Sequence, residues 1–230
     1  MTTVGVLSPA HSLRQTLEEG AHALGLALSA DQFDLLLDYL ALIQKWNKVY
    51  NLTAVRDLAE MLTHHLLDSL AVVLPLRHQT GGRALKLLDV GAGAGLPGVV
   101  IAICCPDIQV TCVDTVAKKA AFISQVALAL KLPNLRGLHA RVESVSDGFE
   151  VVCSRAFASL LDFTNWSRSA FKKGDAGRAG SAGIWMALKG KPPTDELAAL
   201  PVDLEVFHVE QLLVPGLDAE RCIVWMRLKL

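Results

Sequence analysis

Hydrophobic and polar positions follow two rhythms along this chain, and the change falls near residue 84. Before it, apolar residues recur at helical spacing. In SADQFDLLLDYLALIQKWNKVYNL, Phe33, Leu36, Leu37, Leu40, Ile43 and Trp46 share one face, and Ser29 with Gln32 fits a capping box that starts the helix. Asp57 and Glu60 offer a second helix start, after which Leu58, Met61, Leu62, Leu66, Leu70 and Val73 continue the period. Pro75, followed by Gly81 and Gly82, is expected to close this helical part, so residues 1–80 read as an N-terminal helical extension.

Beyond it, short apolar runs alternate with helical stretches across residues 81–230. ALKLLDV, IQVTCVD, EVVCSRA and GIWMALK read as strands, with PGVVIAICC, AKKAAFISQVALALK and SLLDFTNWSRSAF as helices between them. PTDELAALP suggests a short helix, and VDLEVFHVEQLLV with RCIVWMRLKL a closing strand pair. Strands that are apolar on both sides belong in a sheet covered on both faces. The expected fold is therefore α/β, a doubly wound and mostly parallel seven-stranded sheet with helices on either face. KKGDAGRAGSAG, at 172–183, has the composition of a mobile loop.

Composition narrows the class. With 52% hydrophobic and 20% charged residues the chain is globular, and no apolar run approaches the ~18–20 residues that span a bilayer. The first residues, MTTVGVLSPAHSLRQ, lack the pattern of a secretory leader, which points to the cytoplasm. The five cysteines show no CxxC spacing and lie in apolar runs, as reduced core thiols do, and no Cys/His/Asp spacing suggests a metal. The net charge of −1 conceals an uneven distribution: residues 115–191 carry twelve Lys or Arg against five Asp or Glu. Such a segment suits a polyanionic partner if its charges share a face.

The chemistry centres on LLDVGAGAGLPG, at 87–98. A glycine turn between a first strand and its helix lets backbone amides approach a ligand closely. Gly93, Gly95 and Gly98 satisfy the dinucleotide pattern G-x-G-x-x-G. Asp89, two residues before the run, would repel a pyrophosphate, whereas the ammonium and sulfonium of S-adenosylmethionine would be favoured beside it. Asp114 ends the next strand, where a carboxylate accepts ribose hydroxyls with either cofactor, or caps the following helix. In HARVES, Val142 could cover an adenine and Glu143 accept from its amine.

Taken together, KWNKVYNLTAVRD (45–57), HHLLDSL (64–70), the glycine turn, CVDTVAKKAAFI (112–123), ARVES (140–144), SRAFASL (154–160), ALKG (187–190) and LDAERCIV (217–224) resemble the bacterial glucose-inhibited division protein B family. These are small-subunit (16S) ribosomal RNA guanine-N7 methyltransferases. The resemblance implies S-adenosylmethionine as donor and a guanine of the small-subunit RNA as acceptor. With no separate RNA-binding domain evident, the expected substrate is the partly or fully assembled small ribosomal subunit, and no metal or membrane partner is expected. Carried over by position, it implies cofactor contacts at Gly91, Leu96, Val142, Glu143 and Arg155. Two departures are His64, where an arginine is expected, and the length of the 172–183 stretch.

Guanine N7 has a free lone pair and no proton, so methylation there needs positioning and no general base. Arg155, at the end of its strand, is the expected catalytic residue, bridging cofactor and substrate or donating to guanine O6. It must leave N7 untouched, and an ion pair with a nearby acid is its alternative. Lys48, Asn51, Lys189 and Arg221 are expected RNA contacts, with Lys118, Lys119, Lys172, Lys173 and Arg178 as a basic surround. Trp46 is expected to pack in the core, and His64, His65 and Asp68 to form a surface His–Asp pair without chemistry. Two competing readings remain: a small-molecule S-adenosylmethionine methyltransferase, and a nucleotide-responsive binding protein without turnover.

Overall fold

A computed structural model of the chain describes residues 9–171 and 183–229. Most of the glycine-rich 172–183 stretch, including Lys172, Lys173 and Arg178, lies outside them. The sheet has seven strands: β1 (Leu85–Val90), β2 (Ile108–Asp114), β3 (Leu135–His139), β4 (Val151–Arg155), β5 (Ile184–Lys189), β6 (Leu204–Leu212) and β7 (Arg221–Leu228). Their spatial order is β3-β2-β1-β4-β5-β7-β6, parallel except for β7, which runs antiparallel to both its neighbours. The expected α/β architecture is the one observed. The order reverses between β1 and β4, and in such sheets the crevice beyond the strand ends at the reversal is where ligands bind.

Strand periodicity sorts the side chains onto two cores. Leu87, Val110, Cys112, Cys153, Met186 and Trp225 face one side. Leu88, Val113, Val152, Trp185, Val224 and Met226 face the other. The first side is covered by α6 (Gly98–Cys104) and α7 (Ala117–Ala129), and outside these by α1 (Pro9–Ala23) and α2 (Ala30–Tyr50). Leu17, Leu36, Leu40 and Ile43 belong to the same continuous core as the sheet, so the helical extension is packed onto the nucleotide-fold layer. The second side carries α8 (Leu160–Ser167) and the short α9 (Thr194–Ala198).

The Ser29–Gln32 capping box is present, with each side chain bonded to the other's backbone amide. Residues 58–70, expected as one helix, instead form α3 (Leu58–Met61), a π-helical turn over Leu62–Leu67 and α4 (Asp68–Leu70). Such wide turns are rare and concentrate at functional sites. Pro75 does not close the segment: it sits in the first turn of α5 (Val73–Thr80), where a missing N–H costs nothing, and Gly81 ends that helix at φ 61°. No helix among the described residues is long and apolar enough to cross a membrane.

Candidate active site

At the exit of β1 the chain turns sharply, and the amides of Gly91 and Ala92 both donate to the Val113 carbonyl of β2. Gly91, Gly93 and Gly95 have φ of 67°, 60° and 92°, which only glycine adopts without strain. Two side chains hold this turn from opposite sides. The Tyr39 hydroxyl, from α2, donates to the Ala94 carbonyl at 2.7 Å. From beneath, Asp89 Oδ2 accepts from the Gly98 amide at 2.8 Å, and a Cβ on Gly98 would lie 2.4 Å from Cys112 Sγ.

The expectation that Asp89 faces the ligand does not hold. Its residue is wholly buried, between Cys112 and Cys153 in the sheet register, and among the described residues Oδ1 has no hydrogen-bond partner. Burial pushes its carboxyl up to about 7. As the penultimate residue of β1 it points under α6, so it shapes the turn without touching what the turn holds.

Above the turn lies a cleft of about 370 Å³ lined by Gly91, Asp114, Val142 and Glu143, four of the residues expected there. Asp114 borders the cleft while it braces the backbone: Oδ2 accepts from Gly93 N at 3.0 Å and Oδ1 from Val116 N at 2.8 Å, and Val116, not Asp114, is the N-cap of α7. Glu143 is exposed, and its own backbone amide, aided by Arg141, holds its carboxyl below the usual range. An ionised acceptor next to the buried Val142 suits the amine edge of an adenine.

Leu96 and Arg155 do not line this cleft. The Leu96 side chain is 4% exposed and packs in the main core, because the turn after Gly95 already heads into α6. Its amide is used on the Ala92 carbonyl. The sequence reading missed Phe157, whose ring covers Gly91 so closely that a Cβ there would be 2.3 Å from Cδ2, and Trp166, which meets Phe157 edge-on at 5.9 Å. SRAFASL places an aromatic two residues past a strand end, which was the available signal.

A second cleft, also about 370 Å³, opens on the other side of Ala156, which lines both. Arg155 is here, and its Nη1 donates to Asp68 Oδ2 at 2.7 Å and to the His64 carbonyl at 3.2 Å. Arg221 Nε donates to the other Asp68 oxygen at 2.8 Å. The expected surface His–Asp pair is thus replaced by a buried carboxylate, its side chain 4% exposed, shared by two arginines. The π-helical turn carries Asp68 inward, and residues 65 to 70 are all buried. His65 Nε2 lies 2.8 Å from Thr53 Oγ1, and burial lowers its tendency to protonate.

Lys189 lines the second cleft with its ammonium bonded to the Ala158 carbonyl and to Glu196 at 2.8 and 3.0 Å. Lys48 and Asn51 are exposed at the end of α2, where Asn51 forms the C-cap at φ 49°, and neither lines either of these two clefts. Trp46 packs against the core beside Tyr50 and Phe122, as expected. A larger cleft of about 460 Å³, around Lys86, Gln109 and Arg136, lies at the amino ends of the strands, the wrong end of the sheet for a ligand of the glycine turn. Among the described residues no group of three His, Cys, Asp or Glu could hold a metal ion.

Residues 32–224 match the model of a family described as rRNA small subunit methyltransferase G (GidB). The chain belongs to this family. It is 68% identical over 219 residues to a ribosomal RNA small subunit methyltransferase G of Polaromonas sp., covering 94% of this chain and 93% of the relative. It is 64% identical over 220 residues to the protein of the same name in Polaromonas naphthalenivorans, covering 94% and 96%. Among solved structures, TrmN from Thermus thermophilus shares the fold with a TM-score of 0.53 at 18% identity, over 74% of this chain and 53% of that one. This member of the small-subunit methyltransferase G family is an enzyme, and its glycine-turn cleft lies where the sheet order reverses.

Proposed function

We propose that this chain transfers the methyl group of S-adenosylmethionine to N7 of a guanine in small-subunit ribosomal RNA, presented within the small ribosomal subunit. The observation that carries this reading is the pair of clefts sharing Ala156, one walled by nucleoside-type acceptors and the other by arginines. In the first, Asp114 would accept ribose hydroxyls, Val142 would cover the adenine, Glu143 would accept from its amine, and the Gly91 backbone would allow close approach. When bound, that cofactor supplies an electrophilic methyl on a sulfonium.

The chain's own work is positioning. No side chain need remove a proton, because N7 carries none, and holding the reactants in line can contribute up to ~7–11 kcal/mol. Arg155, at the seam of the clefts, would donate to guanine O6 and leave N7 open to the methyl. Lys48, Asn51, Lys189 and Arg221 would meet the surrounding RNA, Lys189 by exchanging its Glu196 partner for phosphate.

The test supplies labelled S-adenosylmethionine to the purified enzyme and to small subunits from a strain lacking it, then maps the modified base. Label at a guanine N7 is expected with the wild type, and Arg155→Ala should reduce transfer below detection while S-adenosylhomocysteine still binds. Unchanged turnover in that variant would remove Arg155 from the mechanism.

A further inference from the structure

The second cleft is built differently from a phosphate site. Its walls include Val55, Leu188, Leu212 and Cys222, apolar surfaces suited to a planar ring. Of its basic residues Lys189 is held by Glu196, whereas the two arginines are organised by one buried acid. Arg155 comes from the end of β4, Arg221 from the start of β7, and Asp68 from the helical extension, so three distant parts of the chain meet at one carboxylate. Two guanidinia this close repel each other unless an anion stands between them. Asp68 is that anion, and at 4% side-chain exposure it is itself out of reach of RNA.

The pairing leaves donors over. Arg155 uses only Nη1, on Asp68 and the His64 carbonyl, while Arg221 uses Nε on Asp68 and Nη1 on the Glu220 carbonyl. Among the described residues, Nε and Nη2 of Arg155 and Nη2 of Arg221 have no hydrogen-bond partner. From this we infer that the second cleft receives the target guanine, and that Asp68 is a positioning residue that presets Arg155 and Arg221 as a paired donor for its O6. The inference rests on the guanine-N7 reading above. A ring seated between the apolar walls with O6 toward the arginines lies beside Ala156, the residue shared with the cofactor cleft.

The experiment compares guanosine with 2-aminopurine, which keeps N7 and lacks O6, at the mapped target position of reconstituted small subunits. For the wild type, loss of a charge-assisted hydrogen bond should lower kcat/KM by about 10–100-fold. Asp68→Asn should be slow on guanosine and nearly indifferent to the second change, losing less than about threefold, because its arginines no longer converge on O6. Calorimetry with S-adenosylhomocysteine checks that this variant is folded; should it not fold, Arg221→Lys, which removes the Nε contact, takes its place.

No penalty in the wild type, or the same penalty in wild type and variant, overturns the inference. A variant in which KM rises equally for both bases would mark the cleft as a phosphate site and overturns it too. A wild type silent on unmodified subunits would instead end the functional reading, and this inference with it.

Discussion

Asp89 sits one residue before the end of β1 with no exposed surface, so the proton on its carboxyl is linked to folding. In the folded chain burial raises that carboxyl from an ordinary 3.8 to about 7. The unfolded chain releases the proton near 3.8 and the folded chain keeps it, so this contribution to stability is full below the unfolded value. It is lost as pH rises through about 7, a change of up to about 4 kcal/mol. His65 works in the opposite sense: burial lowers its folded value below 6.5, so its contribution is lost as pH falls through that region. Urea unfolding of wild type and Asp89→Asn from pH 4.5 to 7.5 separates the two. The difference between the curves should favour the wild type at acid pH and shrink or reverse toward pH 7.5, since asparagine can still accept from the Gly98 amide and carries no charge. Parallel curves would show that Asp89 does not carry the buried proton.

The element that fixes the glycine turn is α2. Its capping box sets where it starts, Gln32 Nε2 reaches the Ile103 carbonyl at the end of α6, and Tyr39 reaches Ala94. Tyr39→Phe keeps the packing and strands a buried carbonyl, which costs about 1–3 kcal/mol. We expect a lower unfolding midpoint and, from a looser turn, a several-fold weaker Kd for S-adenosylhomocysteine by calorimetry. An unchanged Kd would mean that the turn keeps its shape without α2. Much of this layer was legible in the sequence: the box, the α2 face and the strands are local patterns, and IQVTCVD is β2 to the residue. The positions of Asp114, Val142 and Glu143 on the cleft were legible because Asp114 ends β2 and the other two follow the end of β3. The role of Asp68 was not, since one of its partners lies 153 residues away and a π-helical turn breaks the period that would orient it. Leu96 shows a related point: position in a motif does not say which way a side chain points, and its own lies in the core.

At the scale of the whole molecule, charge is arranged more economically than the sequence suggested. Within the basic stretch 115–191, Arg136, Arg141, Arg155, Arg168 and Lys189 are each paired with an acid. Lys118, Lys119, Lys131 and Lys191 have no ion pair among the described residues, and Lys119 borders the glycine-turn cleft. A molecule of net charge −1 with so many paired cations should not cling to RNA at large. If Lys48 and Lys189 each neutralise one phosphate, apparent affinity for subunits should fall with a log–log salt slope of about −1.4 to −1.8, roughly 5–7-fold for a threefold rise in salt. Lys48 has no internal ion pair among the described residues, whereas Lys189 must first leave Glu196. Lys48→Ala should therefore flatten the slope by nearly a full contact, and Lys189→Ala by less. KM measured across a salt series for the three proteins decides it: a slope near zero in the wild type would remove phosphate contacts from recognition. An equal effect of the two substitutions would mean that the Lys189–Glu196 pair does not persist in solution.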